Sequence, residues 1–311
     1  MSENFYRAFE DKFRGSRELI KSRLRPYLPF IRPLLPIYPD GKSIDLGCGR
    51  GEWLELLVES GFSAHGVDLD DGMLAACRER GLSVAMQDAV SALKALPSES
   101  TSVVSGFHIA EHLQFQDLQI LVREAFRVLR PAGLLILETP NPENLVVGTS
   151  GFHLDPSHVR PLPIALLSFL VEYAQFHRTK VVRLQESPEL RTTLSVGILN
   201  VLNGVSLDYG VVAQKAAGID LLMKFDSPFL SEYGLSQEDL CRRYDEFILA
   251  QIERLTEPKA EQAEQRAQEA ISRAESAEQQ LMAIYASKSW RITAPLRKAA
   301  IFFQKKRSAG Q

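Results

Sequence analysis

Cysteine is scarce: three residues in 311, Cys48, Cys77 and Cys241, and none stands at the short spacings of zinc or redox motifs. A disulfide framework is therefore not expected, and the three thiols read as reduced and structural. Long apolar runs are missing too. No stretch approaches the ~20 residues that cross a bilayer as a helix, so no membrane-spanning helix is expected. The opening segment MSENFYRAFEDKFRGSRELIKSRLRPYL interleaves charge with aromatics and lacks the uninterrupted hydrophobic stretch of a secretory signal, which predicts a cytosolic chain. Overall charge is nearly balanced, 36 Lys and Arg against 39 Asp and Glu, and 45% of residues are apolar. That composition fits one substantial globular domain with appendages.

Charge is nevertheless unevenly placed. Residues 286–311 carry seven bases and no acid; residues 251–285 carry seven acids and four bases in a helix-forming composition; the first 250 residues hold 25 bases and 32 acids. In the arm, Ala260, Ala263, Ala267, Ala270, Ala274, Ala277, Leu281 and Ile284 alternate spacings of three and four, the seam of a heptad repeat. A coiled coil and a lone solvated helix both remain open, because alanine buries little area.

The body alternates strand and helix signals, which points to a parallel sheet covered by helices. Strands are expected at 42–47, 63–69, 82–88, 101–107, 134–139, 179–185 and 206–215, with helices at 52–60, 71–80 and 117–130, the last stopped by Pro131 and an Ala132-Gly133 turn. After Pro140 the pattern loosens into a long connection.

Between the first strand and helix stands Asp45-Leu46-Gly47-Cys48-Gly49-Arg50-Gly51. Glycines there let a ligand approach the backbone, and the helix start offers N–H groups. The spacing Gly-x-Gly-x-Gly differs from the Gly-x-Gly-x-x-Gly of dinucleotide binders. Asp45 beside this turn would repel a pyrophosphate and attract a cation such as a sulfonium. Asp68, 21 residues after Gly47, can accept both hydroxyls of a ribose, and Gln87-Asp88-Ala89 can hydrogen-bond an adenine amine.

This combination resembles the class I S-adenosylmethionine-dependent methyltransferases. The resemblance implies a doubly wound, mostly parallel seven-stranded Rossmann-like sheet, S-adenosyl-L-methionine as cofactor, and cofactor contacts from Asp45, Gly47, Gly49, Gly51, Asp68, Gln87, Asp88, Ala89 and Phe107. A narrower resemblance covers roughly residues 5–185. The segments Phe5-Tyr6-Arg7-Ala8-Phe9-Glu10, Phe13-Arg14-Gly15-Ser16-Arg17-Glu18, Glu138-Thr139-Pro140-Asn141-Pro142-Glu143-Asn144 and Phe152-His153-Leu154-Asp155-Pro156-Ser157-His158 are similar to the methyltransferase part of bifunctional methyltransferase/kinases that terminate O-antigen chains. That resemblance implies that Tyr6 and Arg7 close over the cofactor. The kinase half has no counterpart: no Gly-rich kinase loop or His-Arg-Asp signature occurs. The expected organisation is a helical cofactor lid (1–40), a methyltransferase domain (41–250), a helical arm (251–285) and a basic tail (286–311).

Phe107-His108-Ile109-Ala110-Glu111-His112 contains His-x-x-Glu-His, the pattern of inverted zinc proteases. Zinc needs both histidines on one helix face, whereas this motif ends a strand, where doubly wound sheets present ligand contacts. No metal is expected. Methyl transfer is an in-line displacement, so the protein must align an acceptor and remove a hydroxyl proton. His108 is the first candidate base, with Glu111 and His112 next, each also readable as a structural residue. In the loosened connection His153, Asp155, His158 and Arg160 suit sugar hydroxyls or a phosphate.

The tail mixes bases with Trp290, Ile301, Phe302 and Phe303, as an interfacial helix on anionic lipid does. A glycosyltransferase-type partner is the equal alternative, and nucleic acid is not expected because the body is acidic. The sequence thus reads as an O-methyltransferase of a glycan, at the end of a bacterial surface polysaccharide, located in the cytoplasm at the inner membrane face. A methyltransferase of a small metabolite or protein, or a methyltransferase-like scaffold for glycan assembly, is the alternative.

Overall fold

The computed structural model describes residues 15–308, so Tyr6 and Arg7 lie outside the described residues. Seven strands form one sheet: β1 (Lys42–Leu46), β2 (Ser63–Asp68), β3 (Val84–Met86), β4 (Thr101–Phe107), β5 (Leu129–Pro140), β6 (Arg178–Leu184) and β7 (Asp208–Gln214). Their spatial order is β3-β2-β1-β4-β5-β7-β6. The first five pair in parallel, and β7 runs antiparallel to both β5 and β6. The order reverses between β1 and β4, so the C-terminal ends of these two strands flank the crevice where open α/β sheets bind ligands.

Helices α1 (Arg17–Leu24), α2 (Glu52–Glu59), α3 (Asp71–Glu79), α4 (Ala89–Ala95), α5 (Phe115–Val128) and α6 (Ile164–Tyr173) cover the sheet. Their starts follow capping chemistry. The Asp70 side chain accepts from Gly72 N and Met73 N at 2.8 and 3.1 Å to open α3, and Asp88 accepts from Ser91 N at 2.9 Å to open α4. Helix α5 buries Leu118, Leu121, Val122, Ala125 and Val128, a stripe at helical period.

Alternate strand residues feed two cores, one on each face. Val104, Leu135, Leu137 and Val211 join one; Val103, Leu134, Ile136 and Val212 join the other, together with Tyr27, Phe30 and Ile31 from the N-terminal segment. The N-terminal segment is thus part of the body's core. Arg17 donates to the carbonyl of Arg50 and to Glu55, each at 2.7 Å, and Lys21 pairs with Glu55 and Glu59, which seats α1 on α2.

Two expectations need correction. Helix α5 ends at Val128, not Arg130, because Leu129 turns extended and pairs with Thr101 at the start of a 12-residue strand. The Ala132-Gly133 turn therefore lies inside β5, where the register shifts and Ala132 takes φ 60°. The third strand is three residues, Val84–Met86, not seven.

The chain divides into two compact units, residues 1–245 and 246–311. The second contains most of α7 (Gln237–Ala286), then α8 (Lys288–Ile292) and α9 (Ala294–Ser308). No helix is long and apolar enough to cross a membrane among the described residues.

Candidate active site

The glycine turn follows β1 at the switch point. Gly47, Gly49 and Gly51 take φ of 66°, 52° and 77°, left-handed values that residues with a Cβ rarely adopt. At Gly51 a Cβ would lie 2.7 Å from Leu82 and 2.9 Å from the sulfur of Cys77, so this glycine also lets α2 close on its neighbours. Beneath the turn Asp45 is buried and accepts from Ser105 Oγ at 2.7 Å, and Ser105 Oγ in turn accepts from Trp53 Nε1 at 2.9 Å.

Asp68, at the end of β2, organises the turn from the side. One carboxylate oxygen accepts from Gly49 N at 2.8 Å, the other from Asp70 N at 2.9 Å. Each oxygen retains a second lone-pair direction for a ligand hydroxyl. The Gln87 amide donates to the Asp68 carbonyl at 3.1 Å, and the half-buried Gln87, exposed Asp88 and buried Ala89 follow on the same rim. Phe107 is half-buried between Tyr27 and Trp53, with ring centroids 5.4 and 5.2 Å away.

His108 follows β4 directly, with φ 55°. Its amide donates to the carbonyl of Glu138 at 2.9 Å, extending the β4–β5 pairing while the chain turns into the single helical turn Ala110–His112. A left-handed non-glycine costs about 1–3 kcal/mol and persists where its surroundings demand it. Here the turn aims the imidazole at three carboxylates. Nδ1 lies 3.2 Å from Glu111 Oε1, and Nε2 lies 3.5 Å from Glu138 Oε1 and 3.7 Å from Asp208 Oδ2. The side chain still keeps 43% of its surface accessible, whereas Glu111 and Glu138 are buried.

The electrostatics follow from that crowding. Burial works against charging His108, yet Asp208, Glu111 and Glu138 outweigh it and hold the imidazole well above its ordinary range. Burial pushes the Asp208 carboxyl up to about 7; His108 opposes the rise, and Glu138 and Glu111 add to it. Glu111 is lowered overall: burial raises it, but the hydrogen bond and charge of His108 prevail. Outer contacts fix the acids. Tyr27 donates to Glu138 Oε2 at 2.7 Å, Thr139 donates to Glu111 Oε2 at 2.9 Å, and Gln185 donates to Asp208 Oδ2.

His112 turns away from this cluster. Its Nδ1 meets Ser157 Oγ at 3.1 Å, Ser157 donates to Asp155, and the ring lies edge-on to His158 with centroids 4.7 Å apart. Burial, and next to it His158, lower His112 against the opposing carboxylates Glu111 and Asp155. His158 Nδ1 donates to the Phe152 carbonyl at 2.6 Å. The amide of Val159 donates to the Glu111 carbonyl at 2.8 Å, tying this segment to the His108 turn. Arg160 lies over the Phe115 ring at 4.3 Å, and its Nη2 is buried with no hydrogen-bond partner among the described residues. His153 is exposed and touches Phe152.

Ligand-type atoms of His108, Glu138 and Asp208, and separately of Glu111, His112 and His158, lie within 4.8 Å of one another. The two histidines of the His-x-x-Glu-His pattern therefore fall into different groups. The zinc-protease geometry, with both imidazoles on one helix face, is not formed.

Sequence reasoning missed Tyr27, Glu138 and Asp208 as site residues. Glu138 carried a signal, as the one acid in the apolar run Leu134–Thr139 of a central strand; Tyr27 carried none.

A family model described as a methyltransferase domain matches residues 44–137. A solved S-adenosylmethionine-dependent methyltransferase from Archaeoglobus fulgidus is 32% identical, with a TM-score of 0.60, and the match covers 68% of this chain and all of that one. A protein of Mycolicibacterium smegmatis named "Probable S-adenosylmethionine-dependent methyltransferase" is 35% identical over 133 residues, 43% of this chain and 51% of the relative. A ubiquinone biosynthesis O-methyltransferase of Methylococcus capsulatus is 33% identical over 105 residues, 32% of this chain and 44% of the relative. The chain spans about half the length of the curated relatives it matches.

Proposed function

Because the chain belongs to the S-adenosylmethionine-dependent methyltransferases, we propose that it transfers a methyl group to a hydroxyl of a glycan acceptor. The observation that carries this reading is the imidazole of His108, aimed from the switch point at Glu111, Glu138 and Asp208.

The residues present fit the cofactor. Asp68 offers lone pairs for a ribose, the left-handed glycines put no Cβ of their own on the turn, and the acids Asp45 and Asp68 favour a positive ligand over a pyrophosphate. S-adenosylmethionine, when bound, supplies an electrophilic methyl on a positively charged sulfur. Gly47, Gly49 and Asp68 would hold it, with Gln87, Asp88 and Ala89 at the adenine side and Tyr6 and Arg7, by resemblance, over the top.

His108 and Asp208 act as one titrating unit. With the unit deprotonated, Nε2 accepts the hydroxyl proton as the acceptor oxygen gains the methyl. Glu111 at Nδ1 and Glu138 and Asp208 at Nε2 then hold the imidazolium. In this reading His112, whose Nδ1 meets Ser157 Oγ and whose ring packs edge-on against His158, supports the 153–160 segment and takes no part in the proton transfer.

Support for a glycan comes from His153, Asp155, His158 and Arg160, whose segment is tied to Glu111, and from the resemblance of residues 152–158 and 138–144 to the O-antigen enzymes. The unpaired Nη2 of Arg160 suits an acceptor that carries an anionic group. A small aromatic hydroxyl is the second reading, favoured by the ubiquinone O-methyltransferase relative. Mass spectrometry separates them. Surface polysaccharide fragments incubated with S-adenosylmethionine and the protein should gain one methyl, and His108→Ala should slow this by about 10²–10⁴-fold with cofactor affinity kept. Methylation of quinol-type phenols alone would transfer the assignment to the second reading.

The tail is proposed to contact anionic lipid. Ile292, Leu296 and Ile301 are exposed beside Lys288, Arg291, Arg297 and Lys298, an interfacial composition. Deleting residues 286–311 should abolish flotation with phosphatidylserine vesicles; unchanged flotation would refute lipid contact, and a protein partner captured instead would do the same.

A further inference from the structure

The arm is a solvated helix whose side chains from Ile252 to Ala286 are exposed wherever they are described. Its seam, Ala260 to Ile284, begins two residues beyond Pro258. With Ala260, Ala267, Ala274 and Leu281 at heptad position a, the d positions are Ala263, Ala270, Ala277 and Ile284. The apolar Leu281 and Ile284 at the end of this seam are 48% and 52% exposed, and Ile271 on its flank is 52% exposed. Alanine serves any helix through its propensity, whereas Leu281, Ile284 and Ile271 exposed along the same stripe lower their cost when a second helix covers them.

The flanking charges choose the occupant. The g positions are Lys259, Arg266, Arg273 and Gln280; the e positions are Glu257, Glu264, Ile271, Glu278 and Tyr285, so every charge at g is basic and every charge at e is acidic. One flank is therefore basic and the other acidic. In a parallel in-register pair, a g residue faces the e residue five positions later on the other helix. Lys259 then meets Glu264, Arg273 meets Glu278, and Arg266 lays its aliphatic stem along Ile271. In an antiparallel pair g faces g and e faces e, so bases would meet bases and acids would meet acids. Within its own helix Arg273 has Glu269 only at 3.9 Å, a loose contact that a second helix can replace.

We propose that residues 259–286 form a parallel, in-register, two-stranded coiled coil with a second copy of this chain. Alanine at most a and d positions fits two strands, since the wider centre of a three- or four-stranded core would be left unfilled. Parallel polarity makes both chains enter the coil from the same end. The proposal is independent of the acceptor.

Sedimentation equilibrium of the full chain should give a two-chain mass. Lys259→Glu with Arg273→Glu, and separately Glu264→Lys with Glu278→Lys, should each weaken self-association at least tenfold, and mixing the two variants should restore the two-chain mass. Mild oxidation of Ala277→Cys should yield a cross-linked pair that the parent chain does not, because d faces d only in the parallel register. A single-chain mass at every concentration, association unchanged by the charge reversals, or no cross-link at position 277 would each overturn the proposal.

Discussion

His108 and Gln185 both take left-handed backbone, φ 55° and 70°, and both reach the same atom, Oδ2 of Asp208. They approach it from different strand ends, after β4 and after β6. Strain is thus stored at the two positions that hold this buried acid. Gln185→Ala leaves the oxygen without its amide donor and keeps a left-handed Cβ. It should destabilise the chain by about 1–3 kcal/mol in chemical denaturation. Gln185→Gly loses the same donor but relieves the backbone, so it should be less destabilised than the alanine variant by about 1 kcal/mol. Equal midpoints for the two would contradict the strain assignment.

Asp208 sets the pH behaviour. Its presence raises His108, which must be neutral to accept a proton, so turnover should rise with pH into the range above ordinary imidazole titration. In Asp208→Asn that rise should move to lower pH. The same substitution should alter the pH dependence of stability. A carboxyl raised to about 7 binds its proton more tightly when folded, so stability falls as pH rises from the ordinary carboxylate range through 7. The raised imidazole acts in the same direction, its stabilisation being complete below the unfolded value and lost as pH passes the folded one. Melting temperatures at acid and mildly alkaline pH should therefore differ more for the parent than for Asp208→Asn. A variant with the parent's pH–rate profile would remove Asp208 from the titrating unit.

Gly210 explains how Tyr27 reaches the site. It pairs with Glu138 across β5 and β7, and a Cβ there would lie 2.1 Å from the Tyr27 hydroxyl. Gly210→Ala must displace the ring that donates to Glu138, so it should cost more in denaturation than Tyr27→Phe, for which about 1–3 kcal/mol is expected. The opposite order would mean that the ring moves freely.

The early half of the body was legible because its signals are local. The strand-turn-helix around Gly47 and the acid ending β2 each lie within one βα unit, and β1, β2, β4, β6 and β7 were located within a residue or two; the helix that Asp88 caps was not expected. The insertion of β7 between β5 and β6 was not legible, since nothing in a strand's composition states which neighbour it joins. The His108 environment was legible only within the motif itself. Glu111 stands three residues away on the same turn, but Asp208 arrives from a strand 100 residues later and Tyr27 from a helical segment that reads as a lid. Helix α5 was extended too far because Leu129 and Arg130 suit either state locally, and pairing with Thr101 decided it.

The most direct test of the account is calorimetric titration of the full chain with S-adenosylmethionine, beside Asp68→Ala. The parent should bind saturably, one cofactor per chain, with a rise in melting temperature, and Asp68→Ala should lose at least about tenfold in affinity through the ribose contact and the loosened Gly49 amide. No heat and no thermal shift from the parent would contradict the central claim.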